Sequence, residues 1–217
     1  MIKYNKEKFL KNYNDNIPQI LSHKIIADTE TPISTLLKIS KDEKYSFLLE
    51  SVEGGDQRGR FSLLGCKPDL IWSVNDGKID FQSFDFKLDK KLVEKSNPIE
   101  SLKELVNYSK ITNDDSDTPY PVLVGYLGYP MIKYMEKIRL SNPDPLNIPE
   151  ALMIRPSIVA VFDNIKDTIS IMSAVYPKKE INAEEAFLLA NQNINNVVDQ
   201  LNSEIIRDDV LIKANIE

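Results

Sequence analysis

The sequence predicts an α+β fold, in which antiparallel β-sheets are packed against helices on the outside. Short apolar segments rich in β-branched and aromatic residues recur along the chain, which is typical of strands. The tight-turn residues 75–77 and the polar residues 164–167 each join two such segments, which indicates antiparallel hairpins. Segments with a helical spacing of apolar residues flank these hairpins. We expect two antiparallel sheet regions.

The predicted helices follow from the spacing of apolar residues and from end signals. Thr31 suits the cap of the second helix, and Pro32 suits its first position. A further helix is expected after Pro130. The predicted helices cover residues 3–13, 31–39, 99–108 and 183–204.

The predicted strands come mainly from the middle of the chain. The segment 121–126 is expected to be a buried strand, and the prolines Pro143, Pro145 and Pro149 mark an irregular connection after it. The predicted strands cover residues 22–27, 45–50, 60–66, 69–74, 78–84, 121–126, 157–163 and 168–173.

Composition excludes several classes of protein. The formal net charge is -6 and no cluster of lysine or arginine forms a basic face, which argues against nucleic-acid binding. Cys66 is the single cysteine, so no disulfide can form within the chain, and this fits a reducing compartment. No apolar run is long enough for a signal peptide or a membrane span. We expect a cytoplasmic protein with no membrane partner.

The sequence offers few groups for catalysis. His23 is the single histidine, and no G-x-S-x-G elbow accompanies it. One cysteine and one histidine argue against a zinc site. The acidic run 113–117 lacks the glycine and terminal glutamate of a calcium loop, and the glycine-rich residues 54–60 lack the G-K-[ST] of a phosphate loop. We predict no catalytic residue and no metal site in this chain.

One segment has the chemistry of a ligand site. In residues 48–62, Glu50 and Ser51 end a predicted strand, glycines follow, and Arg58 and Arg60 begin the next strand. A carboxylate can pair with a ligand ammonium, and an arginine can hold a ligand carboxylate in a fork. The arrangement therefore suits a zwitterion. A hairpin loop with incidental charges explains the same pattern.

Longer motifs point to a family. The string LLESVEGGDQRGRFSLLG at 48–65 resembles the signature of the amino-terminal region of anthranilate synthase component I. The resemblance covers roughly residues 27–201, in the order found in that family. The other matching segments are ADTETPISTLLKI at 27–39, PDLIW at 68–72, VGYLGYPMIKYME at 124–136 and VAVFDN at 159–164.

The resemblance implies an activity for the full-length protein. Members of this family convert chorismate to anthranilate with Mg2+ and ammonia, and a glutamine amidotransferase subunit supplies the ammonia. The reaction is the first committed step of tryptophan biosynthesis, and L-tryptophan inhibits it by feedback. Carried over onto this sequence, the inhibitor site includes Leu49, Glu50, Ser51 and Arg60.

The resemblance also implies a division of labour. Residues 1–217 correspond to the amino-terminal, regulatory region, and the carboxy-terminal domain that binds chorismate and Mg2+ is absent. We therefore expect this chain alone to be inactive, to bind tryptophan weakly or not at all, and to expose an apolar face.

Three alternatives stay open at this point. One is aminodeoxychorismate synthase component I of the folate pathway, which shares the architecture. Another is a stand-alone regulatory module that binds an amino acid. The third is a structural scaffold in which Glu50 and Ser51 only close a hairpin.

Overall fold

Seven antiparallel strands form one sheet in the computed structural model, which describes residues 5–52, 58–84, 86–88, 92, 95–111, 117–138 and 147–204. The strands lie in the order β1-β7-β6-β3-β2; β4 pairs with β3 and β5 pairs with β6. Their bounds are β1 (Gln19–Ile26), β2 (Ser46–Val52), β3 (Arg58–Asn75), β4 (Lys78–Ser83), β5 (Val124–Leu127), β6 (Ala151–Asp163) and β7 (Thr168–Val175).

Four α-helices and one 3-10 helix flank the sheet in the described part of the chain. The Thr31 hydroxyl accepts from the Ser34 amide at 3.0 Å while the Ser34 hydroxyl accepts from the Thr31 amide at 2.8 Å, so the predicted cap is confirmed as a capping box. The helices are α1 (Lys6–Asn14), α2 (Pro32–Ile39), α3 (Pro98–Tyr108), α4 (Ala183–Leu201) and the 3-10 helix Tyr129–Tyr134.

The predicted α+β class is confirmed, but the two expected sheet regions are one sheet. The strands predicted at 60–66 and 69–74 join into β3, an 18-residue strand. Lys67 adopts a positive φ of 52°, and the register against β6 shifts between Pro68 and Leu70. This irregularity bends the strand without ending it, so β3 reaches from the edge strand β2 to β4.

Three local predictions are corrected. The segment 121–126 was expected to be a buried strand, whereas β5 covers only Val124–Leu127 and three of its four residues are exposed. The helix expected after Pro130 is a 3-10 helix that begins at Tyr129. β6 starts at Ala151, six residues before the predicted strand 157–163. The calls for residues 3–4, 53–57, 112–116, 143, 145 and 205–217 lie outside the described residues.

The core consists of three apolar clusters. The largest lies on one face of the sheet, where α1, α2 and α4 cover strand residues such as Leu64 and Ile171. A second lies beneath α3, where the Trp72 indole donates to the Ser101 hydroxyl at 3.0 Å. The third, around Val161, lies on the other face. Within the described ranges, no helix combines the length and the apolar character needed to cross a bilayer.

Candidate functional site

The predicted ligand segment lies at one edge of the sheet. Among the described residues, β2 pairs only with β3, with Leu49 opposite Leu63 and Glu50 opposite Ser62. Leu49 is 47% exposed, and Glu50 is exposed as well. An exposed leucine beside an exposed carboxylate offers an apolar contact and an anionic group to a ligand at this edge.

The two residues point to opposite faces of the sheet. Leu63, the partner of Leu49, belongs to the cluster around Val161. Glu50 follows Leu49 in the strand, so its side chain alternates to the face that carries the helices. A ligand that contacts both must therefore sit at the open edge of β2. The backbone of Ser51 lies in β2, but its side chain is outside the described residues.

Arg60, the predicted carboxylate fork, has a partner within the protein. Its Nε donates to Asp163 Oδ1 at 3.3 Å, and its Nη2 donates to Asp163 Oδ2 at 3.0 Å. Asp163 ends β6 and also accepts from the amides of Ile165 and Lys166. The Asn164 amide side chain donates to the Gly59 carbonyl at 2.8 Å. Arg60 thus fixes the β6–β7 turn to the start of β3.

The Arg60–Asp163 pair strengthens the charge on both groups. The hydrogen bond from Arg60 lowers the pKa of the Asp163 carboxyl, and the same bond raises the pKa of Arg60. The Arg60 side chain is 40% exposed, so part of its guanidinium faces solvent. A ligand carboxylate at Arg60 would share or replace the interaction with Asp163.

Sequence reasoning missed a second charged group, Arg155. It lies in β6, is 1% exposed, and donates to Asp69 from Nε at 2.7 Å and from Nη2 at 2.8 Å. Its guanidinium lies 3.8 Å from the ring centroid of Tyr176. The signal in the sequence was a lone arginine inside the apolar string ALMIRPSIVAVF. It was overlooked because Pro156 suggested that the strand began after it.

The remaining candidates for chemistry do not converge. His23 lies in β1 opposite Ile171, and burial lowers its pKa. In the part of the chain that the structure describes, no three His, Cys, Asp or Glu side chains come together as metal ligands. These residues therefore do not fit the Mg2+ that the resemblance implies, and we assign no metal ligand among them.

Comparisons with known proteins agree on one name. Anthranilate synthase component 1 of Cereibacter sphaeroides is 35% identical over 192 residues, covering 87% of this chain and 38% of that protein. Its namesake in Pseudomonas aeruginosa is 35% identical over 181 residues, covering 81% of this chain and 36% of that protein. The chain thus spans less than two fifths of these relatives.

Two further comparisons complete the picture. No protein-family model matches the chain. The crystal structure of anthranilate synthase component I from Streptococcus pneumoniae TIGR4 aligns with 83% of this chain and 37% of its own, at a TM-score of 0.48 and 20% sequence identity.

Proposed function

We propose that this chain, which belongs to the anthranilate synthase component 1 family, is the amino-terminal, tryptophan-sensing part of that subunit. The observation that carries the proposal is the 35% identity over 192 residues. The name of the relatives supports the tryptophan route over the folate-route enzyme. The stand-alone module and the structural scaffold are the alternatives that the experiment below tests.

The proposal assigns the chemistry to the rest of the subunit. Because the chain spans 38% of the Cereibacter relative, chorismate and Mg2+ would bind in the part that this chain does not cover. Component 1 implies a second component, and a glutamine amidotransferase subunit would supply its ammonia. Incubated alone with chorismate, ammonia and Mg2+, this chain should form no anthranilate.

The edge of β2 provides the sensing groups in this proposal. Glu50 pairs with the ammonium of tryptophan, Ser51 adds a neutral hydrogen bond, and Leu49 contacts the indole. Arg60 is placed as the partner of the carboxylate, in exchange for part of its bond with Asp163. Because β2 is an edge strand among the described residues, a ligand beside it can reach side chains from both faces.

The test is a chimera, because regulation is measured only in an active enzyme. The aligned region of the Cereibacter component 1 is replaced by this chain, and anthranilate formation is followed by fluorescence at increasing L-tryptophan. We expect inhibition by L-tryptophan and none by D-tryptophan. Glu50→Gln should raise the half-inhibitory concentration by roughly tenfold or more, since a charge-assisted hydrogen bond contributes about 1.5–3 kcal/mol.

Two controls make the result specific. Ser51→Leu should relieve inhibition without lowering the uninhibited rate, whereas Lys78→Glu, an exposed change in β4, should alter neither. An active chimera that ignores L-tryptophan would refute the sensing role. If inhibition persists unchanged in both the Glu50 and Ser51 variants, the scaffold alternative holds instead.

A further inference from the structure

A large cavity lies away from the predicted tryptophan site. It has a volume of about 890 Å3, and none of Leu49, Glu50, Ser51 or Arg60 lines it. Its wall comes from the end of α1 and the loop after it, from residues 86–88, and from residues 176–183 between β7 and α4. These segments adjoin β1 and β7, whereas β2 lies at the other end of the strand order. A volume of this size holds a small organic molecule.

The wall of the cavity is positively charged. Four basic residues line it against a single acidic one, Glu180. The chain as a whole carries a formal net charge of -6, so this concentration of cations runs against the composition. Such a wall attracts anions. The four basic residues are Lys87, Arg155, Lys178 and Lys179.

Arg155 supplies a donor that the protein leaves unused. Asp69 occupies Nε and Nη2 of the guanidinium, and Tyr176 stacks on it at 3.8 Å. Among the residues that the structure describes, the buried Nη1 finds no acceptor. A buried donor without an acceptor is costly, and a carboxylate or a water would satisfy it. Asp69 and Tyr176 hold the group rigidly for that purpose.

Aromatic rings complete the wall. The Phe86 and Tyr108 rings lie 5.4 Å and 5.5 Å from the Arg155 guanidinium, and Lys178 Nζ lies 5.1 Å from the Phe86 ring. Phe86 therefore lies between the buried arginine and the lysine. Flat aromatic walls favour a flat apolar ligand body, because ring pairs gain stacking energy.

We propose that this cavity binds a small organic carboxylate built on a planar ring. The carboxylate lies between Arg155 Nη1 and Lys178 Nζ, and the ring packs against Tyr108 and Tyr176. Because Nη1 is buried, the Phe86 ring moves aside as the ligand enters. This site is separate from the tryptophan site proposed at β2.

The test is an NMR titration of the 217-residue chain with benzoate at constant ionic strength. We expect saturable shifts of the backbone amides of Tyr176, Lys178 and Ile181, and of the Arg155 Nε–H signal. Benzamide, which has the same ring and no charge, should leave these signals in place. A Lys178→Glu/Lys179→Glu variant should bind benzoate roughly fivefold more weakly or worse, since each exposed charge contributes up to about 1 kcal/mol.

Controls separate this site from general charge effects and from the β2 site. Lys78→Glu changes the net charge by the same amount per residue but lies in β4, so it should leave benzoate affinity unchanged. Ser51→Leu should do the same. Equal shifts with benzamide, an unchanged affinity in the double variant, or inorganic phosphate producing the shifts when benzoate does not would each overturn the proposal.

Discussion

At the scale of single residues, the Asp69–Arg155 pair is the most consequential interaction in the described structure. Arg155 is 1% exposed on its side chain and Asp69 is 16% exposed. Removing one member leaves a charge with little access to water, so Arg155→Met or Asp69→Leu should each lower the free energy of unfolding by about 3–5 kcal/mol. Urea denaturation followed by circular dichroism measures the loss.

The double variant separates the ion pair from simple packing. When both charges are removed, neither is left alone, so Asp69→Leu/Arg155→Met should lose less stability than either single variant. If the losses of the two single variants add in the double variant, the two groups do not act as a pair.

Cys66 gives a residue-scale prediction about pH. Burial raises the pKa of its thiol to about 12 from an ordinary value of 9.0. Above about pH 9 the unfolded chain loses this proton while the native chain keeps it, so the native state binds more protons and stability falls as pH rises. The thiol should account for about 1 kcal/mol of the loss between about pH 9 and pH 10.

Cys66→Ala isolates this contribution from the tyrosines that titrate in the same range. The variant should lose about 1 kcal/mol less than the unmodified chain over that interval, measured as free energies from urea unfolding at each pH. Equal slopes for the two proteins would show that the thiol ionises alike in both states.

The candidate site shows what local sequence can and cannot predict about residues. Leu49 and Glu50 are recognisable from a contiguous motif, and their exposure follows from their place in an edge strand. The bond between Arg60 and Asp163 spans 103 residues, and only the pairing of β3 with β6 brings the two together. Asp69 and Arg155 are similarly 86 residues apart. Long-range ion pairs depend on sheet order, which local spacing does not encode.

At the scale of elements, α2 and the end of α4 are joined by one lysine. Lys38 Nζ donates to the Leu201 carbonyl at 2.6 Å and to Glu30 at 2.5 Å, with the Lys38 side chain 8% exposed and the Glu30 side chain 10% exposed. The ammonium thus satisfies a carbonyl that a helix end leaves free. Lys38→Met should lower the free energy of unfolding by about 3 kcal/mol, because Glu30 stays buried without its partner.

Hydrogen exchange distinguishes this role from a general loss of packing. Lys38→Met should speed exchange in the last turn of α4 more than in its centre, around Ile194. Lys41→Met, a change of the same kind at an exposed position just beyond α2, should leave both the stability and the exchange rates unchanged. Uniform acceleration along α4 would contradict the capping role.

Elements were predictable where a turn signal was local. The turn 75–77 has positive φ at Asp76 and Gly77, as its sequence predicts. The breaks predicted near Pro68 and Pro156 were wrong, because these two prolines face each other across β3 and β6. Each proline lacks an amide hydrogen, and their pairing at a register shift lets both strands continue. A local pattern reads each proline as an end, since the partner lies far along the chain.

At the scale of the whole molecule, the sheet is built largely from distant segments. β1 pairs with β7, at positions roughly 150 residues apart in the chain, whereas β6 and β7 are joined by a short turn. Closing long loops costs entropy before the contacts form. We therefore expect folding on a timescale of about milliseconds to seconds, with the β6–β7 hairpin forming before β1 joins the sheet.

Pulsed hydrogen exchange during refolding measures this order, and β7 contains its own control. Amides of a central antiparallel strand point alternately to its two neighbours, so some β7 amides bond to β6 and others bond to β1. The first group should gain protection early, and the second should gain it together with the β1 amides. Simultaneous protection of both groups would mean that β1 docks in the same step as the hairpin forms. In that case the entropy of the long loop would be offset in a single step by the apolar cluster that α1, α2 and α4 form on this sheet.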